Sequence, residues 1–570
     1  MRSIRSAVTG FYASSIVGLP PCTLYSGRHT RNLLRFFFGP HELESATGVQ
    51  QGDLSGPAIF ALTLDSITRD IKCELNTWYL DDGLIGGTVE SVVAGLAALK
   101  PALLDLGLDI NTRKCAITFS DSCRDTVQAT RQIREVLPGA HITSPDSLTH
   151  LGAPMTEEAL ANALRGKTRD LSLMCERLQE LEPHASLFLL SKCLGIPKLL
   201  YLLRTSNTKD LAAAELTAFD DVMRESLTQI LNTEFSSESW TQACLPIGMG
   251  GLRIRMLVDI ALPSHLASIH STLPLVSRIL PQGHVAGYKE SIRASLDSWG
   301  QHYPDAEIPE CKELQREWGK VISLQRKEEL LRDGDQFSRA RILAAAAPRS
   351  GAWLQAVPST SAGLLLDRES LRTAVSYRVG SDICIPHPCR CGGVVDRRGL
   401  HPLSCKFSAG RIPRHSAIND VVKRALSGCG IPTLLEPVGI NRGDGRRPDG
   451  ITLFPFHRGR CLVWDATVSD TFAPSHVLDC AVTAGAAAVA AGEHKRRKYR
   501  ELAGTYQFEP LAFETSGVCG PSTTKVIAEI GRRLARERGE PRESSWLWQR
   551  LSIAIIRGNA ACVLNPPRPP

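Results

Sequence analysis

Ten residues, WYLDDGLIGG from Trp78 to Gly87, constrain this chain more tightly than any other stretch. Aromatic and apolar residues run into two consecutive carboxylates and then into glycines. That pattern reads as a β-hairpin with Asp81 and Asp82 at its tip. Carboxylates in a turn commonly do no more than shape it, so the surroundings decide. Upstream, GVQQGDLSGPAIFALTLDSI sets a glycine loop, with Gly52 29 residues before Asp81, ahead of an apolar helix from Pro57 to Ile67. Downstream, LGLDINTRKC ends in the pair Lys114-Cys115.

This order resembles the palm of the reverse transcriptase of a non-LTR-like retroelement: a QG-containing motif B, a YxDD box, then a GL-x-IN-x-x-KC motif D. HLGAPM at 150–155 looks like the turn that ends such a palm. The resemblance implies an RNA-directed DNA polymerase, a nucleotidyltransferase in which carboxylates hold Mg²⁺ or Mn²⁺ ions. These activate a primer 3′-hydroxyl and steady the leaving pyrophosphate. Residue by residue, it makes Asp81 a metal ligand with Asp82 its neighbour, and Tyr79 part of the site. Gln51 and Gly52 would touch template and incoming nucleotide, and Lys114 would act as general acid. The implied partners are an RNA template and a DNA primer or target, in an intracellular, nuclear setting. One departure matters as much as the match. The family's other catalytic aspartate, in motif A, belongs on an adjacent strand upstream of motif B, after the fingers. Residues 1–47 contain no aspartate, and Asp53 and Asp65 belong to motif B and its helix. The expectation is an N-terminally truncated palm with weak or no polymerase activity.

A second cluster, Cys389-Arg-Cys391 and His401-Pro-Leu-Ser-Cys405, offers four thiolate or imidazole ligands within 17 residues. Tetrahedral zinc suits three thiolates and one imidazole, and Gly392, Gly393 and Gly399 allow tight turns. With all four positions filled by protein, the site reads as structural. Cys384 and His387 lie close enough in sequence to compete. The cluster resembles the CCHC knuckle that precedes the endonuclease of site-specific non-LTR retrotransposons.

Behind it, the apolar pattern gives a helix from Ser416 to about Leu426, then a segment containing Glu436. Arg447-Pro448-Asp449 opens a strand, Ile451 to Phe456, and the turn His457–Arg460 returns the chain into Cys461–Val468. Pairing about that turn sets Asp465 opposite roughly Thr452, within two or three positions of Asp449. Two carboxylates from neighbouring strand ends, with Glu436, make a Mg²⁺ site of hard oxygens. An aspartate inside LVWDATV argues for a partner, because burying an unpaired charge is costly. The arrangement resembles the PD-(D/E)xK restriction-like fold found at the C-terminus of those same elements. Thr467 stands where that family usually has its lysine. The helix EHKRRKYREL supplies replacements, and Lys498, in a Lys-Tyr pair, is preferred to Lys495. Arg446 and Arg447 would meet the phosphate backbone.

Composition adds the remaining bounds. At 570 residues, three or four domains are expected. Seventeen cysteines without a secretory leader argue for reduced thiols or metal ligands, since Thr9, Tyr12, Ser14 and Ser15 interrupt the leader-like start. No apolar run is expected to reach the ~18 residues of a membrane helix. Positive charge is concentrated late: from Cys389 onward 27 Lys and Arg face 16 Asp and Glu, leaving residues 1–388 at −4 of the chain's +7. The expected architecture is an α+β multidomain chain. Residues 1–155 form the partial palm, 156–270 a helical thumb-like region seeded by Leu160, Leu164, Leu171, Met174, Leu178 and Leu181, and 271–383 a helical linker. A zinc knuckle at 384–410, a restriction-like endonuclease at 411–560 and a tail at 561–570 follow. The alternative is a non-catalytic nucleic-acid-binding protein using the basic C-terminal third.

Overall fold

The computed structural model describes residues 9–13, 16–17, 34–38, 40–45, 54–440 and 447–564, and they form an α+β protein. The chain divides into two compact units, Met1–Arg165 and Gly166–Pro570.

The first unit is built on a five-stranded sheet of β1 (Thr9–Ala13), β2 (Leu75–Tyr79), β3 (Asp82–Gly87), β4 (Cys115–Thr118) and β5 (His141–Ile142). Their order is β2-β3-β1-β4-β5. The expected hairpin is β2–β3: Tyr79 pairs with Asp82, leaving Leu80 and Asp81 as a two-residue turn. Three helices accompany the sheet: α1 (Gly56–Thr68), α2 (Val89–Asp105) and α3 (Thr126–Val136). Thr88 caps α2, its side chain accepting the Ser91 N–H at 3.2 Å. Val92, Leu96, Leu99 and Leu103 then recur at helical spacing and are buried with Ile85, Cys115, Ile117 and Ile133. That face is what holds the helix to the sheet.

Helix α4 (Glu157–Leu178) runs from the end of the first unit into the second. Of its expected apolar stripe, Leu160, Leu164, Leu171 and Leu178 are buried, while Leu181 lies past the helix end and is exposed. Further helices follow, among them α5 (Ala213–Leu231), α6 (Leu257–Ile279), α7 (Gln282–His302), α8 (Gln315–Asp333) and α9 (Arg368–Val379). The segment Pro183–Thr205 is long and apolar enough to cross a membrane by composition, against the expectation of no such run. It is not one regular helix. A π-helical turn at Leu190–Leu194 and a 3₁₀ turn at Ile196–Lys198 interrupt it, and Leu187, Leu190, Leu199, Leu202 and Leu203 are buried.

The C-terminal region carries a four-stranded sheet of β8 (Thr433–Leu435), β9 (Gly450–Thr452), β10 (Leu462–Ser469) and β11 (Gln507–Glu514), ordered β8-β9-β10-β11. A short hairpin, β6 (His387–Pro388) with β7 (Val394–Val395), precedes it. The first two pairs in the sheet are antiparallel; β10 and β11 are parallel, joined through α11 (Ala486–Lys498). Helices α10 (Arg411–Gly428), α12 (Pro521–Arg538) and α13 (Glu543–Leu564) pack over it, burying Ile418, Val422, Trp464, Phe513, Ile527 and Leu551 in one core. Helix α13 also packs against α9 and the turn Ala352–Gln355, drawing linker and C-terminal region into one unit where separate modules were expected. It continues to Leu564, into the stretch expected to be a tail.

Candidate metal centre and carboxylate site

Hairpin β6–β7 carries Cys389 and Cys391, the 3₁₀ turn His401–Leu403 carries His401, and Cys405 lies two residues beyond it. The Cys389 N–H donates to Gly393 O at 2.7 Å, and the Cys405 N–H to His401 O at 3.1 Å. Those bonds fold both ligand pairs inward. The ligand atoms of Cys389, Cys391, His401 and Cys405 all lie within 4.8 Å of one another. Cys389 and Cys405 sulfurs are 3.7 Å apart, and Cys391 Sγ is 3.0 Å from His401 Nε2. Two zinc–sulfur bonds of ~2.3 Å at the tetrahedral angle span about 3.8 Å, so the quartet fits zinc. The Gly393 N–H, at 3.4 Å, is the main reason the Cys391 thiol is drawn down to about 7, toward the ligating thiolate. Burial pushes Cys405 up. Cys384 does not join: its Sγ lies 3.2 Å from Asp396 O. His387 turns its Nδ1 to Ile385 O at 2.8 Å.

The second constellation lies on β9 and β10, with a register different from the expected one. Arg458 and Gly459 form the hairpin turn, both with left-handed φ, and His457 pairs with Arg460. Leu453, Phe454 and Pro455 then bulge out of the pairing, so Gly450 meets Trp464 instead of a residue three positions further on. Proline has no N–H to give a ladder, and Leu453 and Phe454 are exposed. With that shift Asp449, whose N–H donates to Trp464 O at 3.0 Å, lies one residue beyond the Gly450–Trp464 pair, on the side of Asp465. Glycine at 450 is required, because a Cβ there would lie 2.1 Å from the Trp464 ring.

Each carboxylate has its own partners. Asp449 Oδ2 accepts the Ala466 N–H at 2.6 Å and lies 2.9 Å from His415 Nε2. Burial works to raise the Asp449 carboxyl, but the His415 bond and charge outweigh it and leave it lowered. The same bond raises His415. Asn419 backs the histidine, 3.5 Å from its Nδ1, and accepts the buried Trp464 indole N–H at 3.0 Å. Asp465 is buried; the Lys495 ammonium touches its Oδ1 at 2.5 Å, and Lys498 lies 4.0 Å from Oδ2. Lys495 is thus the ion-pair partner of the buried Asp465 Oδ1. Lys498 also donates to the Tyr499 hydroxyl at 2.9 Å, which donates to Arg447 O at 3.0 Å. Lys498, the lysine preferred from sequence, and Lys495 both reach Asp465, and Lys495 is the nearer.

Glu436 takes a different course. Its backbone N–H donates to Asp449 O at 2.8 Å, but its carboxylate is exposed and pairs with Arg447 at 3.2 Å. Among the described residues, Glu436, Asp449 and Asp465 do not gather into a compact metal cluster as the Cys/His quartet does. His415 is the partner that sequence reading missed. Helix α10 begins at Arg411, a turn earlier than the apolar pattern suggested, and so includes it. Arg446, Gln51 and Gly52 lie outside the described residues.

In the first unit, Asp81 occupies the hairpin turn beside Leu80, whose φ is +54°, and Tyr79 is exposed. Ala13 of β1 pairs with both Gly83 and Cys115. Lys114 thus ends at the same edge of the sheet as Asp82, two strands away. Strand β1, between them, reads TGFYA and supplies no carboxylate. Burial lowers His150, on the following hairpin, and the nearby Asp82 charge opposes that shift.

The His415–Asp449 pair predicts a pH window in the metal-free protein. The raised histidine contributes stability fully below its ordinary 6.5 and loses it as pH rises through the higher folded value. The lowered aspartate contributes above its ordinary 3.8 and loses it as pH falls through the lower folded value. Their coupling, measured by a double-mutant cycle on His415→Ala and Asp449→Asn, is expected to peak between those values. A coupling that stays level up to pH 9 would contradict the pairing.

Fold and site together define an α+β protein with a Cys₃His centre able to hold zinc. Over 414 residues, 72% of its length, the chain is 22% identical to the retrotransposable element SLACS 132 kDa protein of Trypanosoma brucei gambiense. It spans 30% of that relative's length. No protein-family model matches it. The chain is a retroelement-related protein.

Proposed function

We propose that the second unit is a Mg²⁺-dependent DNA endonuclease of retroelement origin, with the zinc centre as its structural support. The observation that carries this is the placement of Asp449 and Asp465 on neighbouring strands, with Lys495 and Lys498 reaching in from α11. The donor set fits a divalent cation: two hard carboxylates on neighbouring strands, that of Asp465 buried. Mg²⁺ held by Asp449 and Asp465 would polarise the scissile phosphate and acidify the attacking water. Lys495 now lies against Asp465 and, displaced by a cation, would turn to the phosphate and offset its growing charge. Lys498, steadied by Tyr499, would hold the second position. Nicking of supercoiled plasmid by the full chain with Mg²⁺, abolished by EDTA, is the test. Nicking unaffected by EDTA would reject the reading.

A second reading, binding without cleavage, is favoured by one observation: His415 and Lys495 already satisfy the two carboxylates. Salt-sensitive binding without nicking would select it.

For the first unit we propose a polymerase palm that is not competent by itself. Two-metal synthesis needs a carboxylate on the strand beside Asp82, and β1 has none. Primer extension on an RNA template is expected to stay at background with either Mg²⁺ or Mn²⁺. Robust extension lost in Asp81→Ala would overturn this.

A further inference from the structure

One cleft in the second unit, lined by no residue of either site above, brings Lys192 and Arg253 together with no acidic residue in its lining. His184, Ser191, Lys192 and Arg253 are among the residues that line it. Lys192 rides on the π-helical turn Leu190–Leu194. Such single turns are rare, and they occur often at functional sites. Arg253 comes from the loop that follows Pro246 and carries a left-handed φ of +66°.

The backbone of that loop is held tightly. The Leu252 N–H donates to Ala243 O at 2.9 Å and the Arg253 N–H to Leu245 O at 3.2 Å. Gly250 has φ +102°, and a Cβ on Gly251 would lie 1.9 Å from Leu245 O. The sequence thus places glycine at two crowded positions and then an arginine at the third strained one. Left-handed backbone is unfavourable for any residue with a Cβ and clusters where function requires a side chain. Among the described residues, neither Lys192 nor Arg253 makes an ion pair or a side-chain hydrogen bond. After burial, the main influence on the lysine is repulsion from Arg253, and both lower its proton affinity. Two like charges kept together at a strained, half-desolvated position are stabilised by an anion between them.

We propose that Lys192 and Arg253 form a clamp for a backbone phosphate of bound nucleic acid. This rests on the nucleic-acid reading above and adds a contact in the helical part of the chain, remote in sequence from the carboxylate pair. Arg253 is exposed and Lys192 half-buried, which favours a polyanion at the surface over a free ion. A solvated phosphate gains little from two partly hydrated cations, whereas a nucleic acid also releases condensed counterions.

The test uses the full chain and a fluorescently labelled RNA–DNA duplex, titrated over a range of salt. The double variant Lys192→Ala/Arg253→Gly is expected to bind about tenfold more weakly, with a salt slope shallower by about one phosphate contact. Arg253→Gly alone is expected to keep or raise the thermal midpoint, because glycine relieves the left-handed backbone. Arg253→Lys should recover part of the affinity. Unchanged affinity and slope in the double variant, with the wild type binding normally, would overturn the clamp alone. No binding by the wild type would overturn the nucleic-acid reading itself. Inorganic phosphate that displaces the duplex from wild type but not from the double variant, at constant ionic strength, would assign the cleft to a free anion and overturn the proposal.

Discussion

Stripping zinc from this protein is expected to unfold residues 384–410 while the rest of the second unit stays folded. Structural zinc bound by such quartets supplies roughly 10–16 kcal/mol of apparent binding free energy, and that energy becomes folding energy where no alternative core exists. Here little core exists. Val395, Leu403 and Cys405 are buried, but Ile385, Val394 and Phe407 are exposed. Without metal, the sulfur atoms held within 4.8 Å of each other would repel as thiolates or make only weak thiol contacts. The loss should remain local, because the segment meets its neighbours through Leu403, packed with Ala340, Phe472 and Cys562, and bonds such as Tyr377 Oη–H to Gly399 O at 2.6 Å, while the larger core around Trp464 includes none of its residues. Metal analysis should find about one zinc per chain, and chelation should expose the segment to protease. Cys391→Ser and His401→Ala should do the same, whereas Cys384→Ser should keep its zinc. A chelated protein that resists protease at 384–410 would show that the fold does not depend on the metal.

Much of this architecture was legible because it is local. The β2–β3 hairpin follows from two strands separated by two residues, and α1 from the apolar run behind the glycine loop. The zinc quartet was legible because four ligands within 17 residues leave few alternatives. What escaped the sequence depends on long-range contacts or on small irregularities. The Leu453–Pro455 bulge shifts the register by three and cannot be read from alternation, since a hairpin without it has the same pattern. Lys495 and Lys498 lie three residues apart on one helix face, so only the packing of α11 on β10 decides which is nearer. Glu436 has a left-handed φ of +47°, which turns its carboxylate out to Arg447. The merger of linker and C-terminal region follows from where α13 docks, and nothing in its own sequence names that partner.

Replacing Asp449 by alanine is expected to reduce Mg²⁺-dependent nicking by about 100-fold or more, since even groups that merely support metal ligands are worth 10–100-fold. The protein should remain folded, because the loss falls on few contacts: His415 can become neutral, and the Ala466 N–H alone loses its acceptor. Asp449→Asn separates charge from shape. It keeps an oxygen for Ala466 but offers the metal no anion, and it should be nearly as inactive as alanine. Lys495→Met is a less clean test, because Asp465 is buried and removing a partner from a buried pair costs about 3–5 kcal/mol of stability. His415→Ala provides the informative contrast. If the histidine only holds the empty carboxylate, its loss should leave nicking within a few-fold of wild type and lower the Mg²⁺ concentration needed for half-maximal rate. Loss of activity as deep as in Asp449→Ala would instead place His415 in the reaction. Undiminished nicking by Asp449→Ala would defeat the catalytic assignment, and salt-sensitive DNA binding that survives in it would leave a protein that holds nucleic acid without cutting it.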